Sequence, residues 1–188
     1  MGFEIESSYH AKEAAQHEID FKYENALFSA DNIITFKLVV RTVAKRHGLH
    51  ATFMPKPKCG VDGSGMHLAM SLAKDGKNIF VDSTDENGIS REGYYFMAGI
   101  LEHIEGMTLI SNPIVNSYKR LVPGYGAPVN ATCSIRDRSA LIRMTSIGGD
   151  GTRMELRSPD AASNPYLVLA VCLAAGLDGI KRKLEMPV

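Results

Sequence analysis

The chain has 188 residues, 45% of them hydrophobic and 22% charged, which suits one domain with a sizeable core. Its 21 basic and 21 acidic residues balance, so no net field draws it onto nucleic acid or an anionic membrane. Three scattered cysteines without a Cys-x-x-Cys pair exclude a disulfide framework and a structural zinc site, and point to a reducing compartment.

The opening residues carry neither a basic n-region nor an apolar h-region, and Glu6 breaks the myristoylation pattern. The longest apolar run, residues 167–177, is too short to cross a bilayer, so a soluble cytoplasmic protein is expected.

Residues 3–9 and 16–23 alternate as strands around the polar stretch 10–15. A helix is predicted from Asp31 to His47: Ile33, Phe36, Val40 and Val43 recur at helical spacing, Lys45 and Arg46 suit the C-terminal dipole, and Gly48 ends it. Residues 49–54 return to strand character before Pro55-Lys-Pro-Lys forces an extended loop. Met66, Leu68, Met70 and Leu72 then alternate with His67, Ala69, Ser71 and Ala73, and Asp75-Gly76 reads as a hairpin turn into a strand over 78–81.

Ser90 caps a second predicted helix that runs to about Gly106, with Tyr94, Met97, Leu101 and Ile104 on its apolar face. Residues 112–128 form a turn-rich, ordered loop. Strands are predicted over 132–144 and 153–158, joined by a turn at 148–151. A third helix begins at Asn164-Pro165 and continues to Lys183. Hairpins and irregular alternation favour an α+β fold, one mostly antiparallel sheet with helices on one face, over a doubly wound parallel sheet.

In a strand, residues two apart share a face. Arg153, Glu155 and Arg157 therefore line one side, and Met154 and Leu156 the other. His67 and Ser71 likewise face away from Met66, Leu68 and Met70. Spacing alone leaves two readings: a solvated ladder of salt bridges, or a cavity wall that holds metal and anions. His10, His17, His47, His50 and His103 read as surface or packing residues, Lys56 and Lys58 as solvated, and the Met66–Met70 run as core. No Lys-Ser/Thr opens a helix after Gly151, so 148–151 is a turn and not a phosphate loop.

Five segments add a family signature. They are Gln-His-Glu (16–18), Gly-Ser-Gly-Met-His (63–67), Asn-Ser-Tyr-Lys-Arg-Leu-Val-Pro-Gly-Tyr (116–125), Arg-Asp-Arg-Ser (136–139) and Arg-Met-Glu-Leu-Arg (153–157). In order and spacing they closely resemble the catalytic domain of bacterial-type glutamine synthetases.

The resemblance implies ATP-dependent ligation of ammonia to glutamate through a γ-glutamyl phosphate, with Mg²⁺ or Mn²⁺. By it, His67 and Glu155 share one divalent ion and Glu18 helps hold a second. Arg120 grips the glutamate α-carboxylate, and Gly63 offers it a backbone contact. Arg138 and Arg143 handle phosphate and transition-state charge, and Arg157 takes the γ-carboxylate or the phosphoryl group. Ser71, Arg138 and Arg153 lie near the nucleotide.

It further implies a single partial catalytic domain over 1–188, without the family's N-terminal β-grasp domain. Its oligomeric relatives build active sites between neighbouring subunits, so a homo-oligomer or association with other synthetase subunits is expected.

Four positions depart from the family pattern. Ala11 stands where a metal-binding Glu is usual, and Glu13 reaches that ion only if the loop rearranges. Gly126 replaces the loop Glu that takes the proton from ammonium, Asp62 replaces an Asn, and Asn130 replaces an aromatic residue. With these changes the chain reads as a catalytic-domain fragment, weak or inactive alone. The alternatives are a non-catalytic binding or regulatory subunit, and a γ-glutamyl ligase for another amine.

Overall fold

The computed structural model describes residues 2, 4–135, 137, 139–145, 149 and 151–187. The chain opens with a hairpin of β1 (Ile5–His10) and β2 (His17–Phe21), antiparallel with Tyr9 opposite Glu18 and His10 opposite His17. Helix α1 (Ala26–Arg46) follows. It starts five residues before the predicted Asp31, because Asn25 is the cap and its side chain accepts from the Phe28 N–H. Asp31 instead accepts the Tyr166 hydroxyl, which ties α1 to a later helix.

The predicted strand over 49–54 is absent. Phe53 packs on α1 instead: its ring meets Phe36 at 5.8 Å and lies under Arg41. Strand β3 (Leu68–Met70) is shorter than predicted. β4 (Ala73–Lys74) and β5 (Lys77–Asn78) form the expected tight hairpin, where Asp75 and Gly76 both take positive φ, 52° and 76°, as a type I′ turn requires.

Helix α2 (Arg91–Ser111) is capped by Ser90, whose hydroxyl accepts from the Gly93 N–H. It runs five residues past the predicted end. The loop expected over 112–128 contains a short helix, α3 (Val115–Arg120). The single strand predicted over 132–144 is two pieces, β6 (Cys133–Ser134) and β7 (Ile142–Thr145), paired in parallel. β8 (Arg153–Leu156) and α4 (Pro165–Arg182) complete the chain; Asn164 caps α4, and Lys183 closes it in the left-handed conformation. Of the predicted turn at 148–151, Gly148 and Asp150 lie outside the described residues.

The main sheet has the order β3-β8-β7-β6, antiparallel except for the β6–β7 pair. Leu68, Ile142, Met144, Met154 and Leu156 point to one side. There they join Phe96, Met97 and Ile100 of α2 and Val168 and Cys172 of α4 in one buried cluster. The fold is therefore α+β, with helices on the apolar side of a largely antiparallel sheet.

Glycine governs how closely α2 and α4 meet. A Cβ on Gly99 would overlap the Ala175 carbonyl, one on Gly179 would overlap the Tyr95 carbonyl, and one on Gly176 would overlap the Phe96 ring. The two helices touch backbone to backbone.

Candidate functional site

The polar side of the sheet carries the charged residues that strand alternation assigns to it. Arg143 on β7 lies directly across the ladder from Glu155 on β8, and Thr145 lies across from Arg153. Arg143 Nε and Nη2 both donate to Glu155 Oε2, at 2.7 and 2.6 Å. His67, just before β3, places Nδ1 3.0 Å from the other oxygen, Oε1, and Arg157 Nε stands 3.8 Å from it. Glu155 is buried between them.

Burial alone would raise the Glu155 pKa. The hydrogen bond from His67, the charge of that ring and the guanidinium of Arg143 outweigh burial and hold the carboxyl down at about 2. It is an ionised carboxylate in a half-dry, cationic setting.

The wall beside this group is the segment 62–67. Its carbonyls and amides continue the ladder: Met66 N–H donates to Pro159 O at 2.9 Å, and Gly65 bridges to Asp160. Gly65 is required here, because a Cβ would overlap the Arg120 guanidinium and stand 3.0 Å from His67 Nε2. Gln16 fastens the same segment to the first hairpin, donating from Nε2 to Gly63 O and Ser64 Oγ.

Arg120 is buried under this wall. Nη1 donates to the Ser158 and Pro159 carbonyls and Nη2 to the Arg157 carbonyl. Burial lowers its pKa to about 10, still far above neutrality. Below it, Asn112 donates to Ser158 O and to Asp160 Oδ2 and accepts from Ser111 Oγ, a fully buried polar node that fixes the exit from β8.

On the first hairpin, the half-buried Glu18 stands across the ladder from Tyr9. Burial, then Glu18, then the charges of Asp20 and Glu155 push the Tyr9 phenol up to about 12. Tyr9 thus lies within the field of both Glu18 and Glu155.

The structure therefore brings together His67, Glu155, Arg143 and Arg157, with Gly63 in the adjoining wall and Arg120 behind it. Arg153 shares the polar face. Ser71 lines a different place, an apolar cleft of about 310 Å³ between α1 and α4 beside Leu27, Leu72 and Leu173. Arg138 lies outside the described residues. Among the described residues, no three His, Cys, Asp or Glu side chains gather as a ready metal set; Glu13 accepts from the Asp62 N–H instead of reaching inward.

Two features escape the sequence reading. Lys56, expected to be solvated, is buried: Nζ donates to Val61 O and lies 3.7 Å from the Tyr125 ring centroid, while Asn116 pairs with its backbone N–H and carbonyl. The proline on either side of Lys56 was the available signal, since it holds the chain extended for such pairing. Lys12 reaches across 50 residues to Asp62, at 3.1 Å, a contact without any local signal. No helix among the described residues is long and apolar enough to cross a membrane.

Residues 1–188 match the family model described as glutamine synthetase, catalytic domain. The glutamine synthetase of Clostridium saccharobutylicum is 63% identical over the whole chain, and that of Thermus thermophilus 58%. The chain spans 42% of the length of each. A glutamine synthetase of Plasmodium falciparum solved by cryo-electron microscopy superposes with a TM-score of 0.92 at 39% identity, covering 97% of this chain and 36% of that one.

Proposed function

The chain belongs to the glutamine synthetase family, of which it carries part of the catalytic domain, and from that premise we propose that it furnishes the central wall of an ATP-dependent ligase site. The reaction is ligation of ammonia to glutamate through a γ-glutamyl phosphate. The observation that carries this reading is Glu155, kept ionised between His67 and Arg143 on a sheet face that also carries Arg153 and Arg157. Phosphoryl transfer asks mainly for positioning and charge neutralisation, and such a face offers both.

His67 and Glu155 are the residues that would hold a divalent ion. They are already in contact, the carboxylate is in the charged state an ion needs, and Mg²⁺ is usually held by one or two carboxylates together with substrate phosphates and water. Bound there, the ion would neutralise charge on the phosphates. Glu18, across the hairpin from Tyr9, would serve a second ion.

Arg143 and Arg157 would meet the transferring phosphoryl group, and Arg138 belongs with them by motif. Arg153 and Ser71 are assigned to the nucleotide side, and Arg157 also to the glutamate γ-carboxylate. Gly63 offers backbone to glutamate. Arg120 is assigned to the α-carboxylate; it would reach one only by releasing a carbonyl of 157–159, and until then it props up the wall at Gly65. Further copies of the chain or longer synthetase subunits would complete the site.

The test is calorimetric titration of the chain with Mn²⁺-ATP, with Glu155→Ala alongside. Saturable heat that disappears in the variant is expected. Absence of heat from the wild type, or an unchanged isotherm in Glu155→Ala, overturns the reading.

A further inference from the structure

The first hairpin has a second face that the ligase site does not use. Tyr9, with Glu18 opposite it, lies in the field of Glu155, so strand alternation turns His10 and His17 to the other side. Both histidines are exposed and stand directly across the ladder from each other. Their ring centroids are 5.1 Å apart, with the planes at 72°.

The backbone dictates this approach. The Ala11 N–H donates to Gln16 O at 2.8 Å. The next opposed pair, His10 and His17, is therefore a non-hydrogen-bonded one, the type that brings side chains closest. The turn beyond them is itself held, since Gln16 N–H donates to Glu13 O and Glu13 Oε1 accepts from the Asp62 N–H. The separation matches what a shared ion demands. Two imidazoles on one tetrahedral Zn²⁺, with Zn–N bonds of about 2.1 Å, place their ring centroids about 5.2 Å apart.

The tautomer of His10 is set as well. Its Nδ1 lies 2.7 Å from the Ala11 carbonyl, which can only accept, so Nδ1 carries the proton and Nε2 keeps its lone pair. Metal-ligating histidines are oriented by this kind of bond from the second ring nitrogen. Among the described hydrogen bonds the His17 ring makes none, and its neighbour is the His10 ring.

We propose that His10 and His17 form a two-histidine chelate for a divalent transition ion of the Zn²⁺ class, on the hairpin face turned away from the ligase site. Imidazole suits such ions, whereas Mg²⁺ prefers oxygen, so the pair selects against Mg²⁺. Among the described residues no third His, Cys, Asp or Glu joins them, so water or an external donor completes the coordination. An ion held there pins the two strands beside Gln16, whose side chain grips Gly63 O and Ser64 Oγ, and so stiffens the hairpin's hold on the wall.

The experiment is a titration of the full chain with zinc chloride near neutral pH, followed by the ring C–H resonances of His10, His17 and His67. Magnesium chloride at equal ionic strength is the control, and His67 reports separately on the ligase face. Zn²⁺ should shift the His10 and His17 rings along one saturation curve, and Mg²⁺ should leave both in place. His17→Ala should weaken zinc at His10 about a hundredfold, and His10→Ala should do the same at His17, because each ring loses its tethered second donor. Both replacements fall at exposed positions, and two independent variants keep the test decisive should one fold poorly. The proposal is overturned if the two rings follow different curves, if either replacement leaves the other ring's affinity unchanged, or if Mg²⁺ shifts both rings equally. Zinc shifts confined to His67 overturn it too. The titration needs no nucleotide, so its failure leaves the Mn²⁺-ATP result standing, and a chain that chelates zinc through this pair but ignores Mn²⁺-ATP overturns the ligase reading alone.

Discussion

The sheet that floors the site and the turns that rim it hold their charges by different means. On the floor, Glu155 is set by register: Arg143 is its cross-strand partner, and the alternation that turns Glu155 up turns Met154 and Leu156 down into the core. On the rim, Lys12 and Asp62 come from turns 50 residues apart and meet through one contact. A strand charge inherits rigidity from the apolar residues on either side of it. A turn charge depends on its counter-ion and on the loop backbone behind it. The floor is thus suited to holding a fixed charge pattern, and the rim to exchanging partners.

The comparison is broken most severely from beneath. Gly179→Ala forces a methyl into the Tyr95 carbonyl and prises α4 from α2, so a loss of about 2–3 kcal/mol is expected in denaturant unfolding. Floor and rim should then fail together; a variant as stable as the wild type would mean the helices do not meet backbone to backbone.

Glu155→Gln acts on the floor alone. It weakens the bonds from Arg143 and His67 to an ionised partner, an expected cost of about 1–2 kcal/mol. Its pH signature has a definite sign. The folded pKa of about 2 lies below the ordinary 4.5, so the stabilisation is complete above 4.5 and is lost as pH falls through that window towards 2. Unfolding measured across this range should show that component in the wild type and not in Glu155→Gln.

Lys12→Ala sharpens the contrast from the other end. Removing an exposed partner from the rim should shift stability by no more than about 0.5 kcal/mol. A larger loss in thermal unfolding would show that the rim is braced like the floor.

What was legible in the sequence follows the same division. Period-two alternation placed Arg153, Glu155 and Arg157 opposite Met154 and Leu156, and the caps Ser90 and Asn164 marked two helices correctly, because these signals are local. Asp31 misled, since an acidic residue ahead of an apolar run resembles a cap but here serves the Tyr166 hydroxyl across the fold. Residues 49–54 misled too, because Phe53 packs against α1 and pairs in no ladder, while Leu49 and Met54 stay exposed. The split of 132–144 into parallel β6 and β7 depends on how the sheet edge closes, which no window of sequence contains. The Lys12–Asp62 contact is of the same kind: Asp62 was visible as a departure from the family pattern, but its adjacency to Lys12 was not.

The glycine contact between α2 and α4 also bears on how the chain reaches this state. Gly99 and Gly179 meet with roughly 80 residues between them, and that span holds α3, β6, β7, β8 and the loop with Gly126. Docking the two helices closes a long loop before its reward is collected, a step that slows folding more than any local turn does. Refolding should therefore be paced by this crossing, with the charged face of the sheet acquiring its final shape only after the helices behind it have locked.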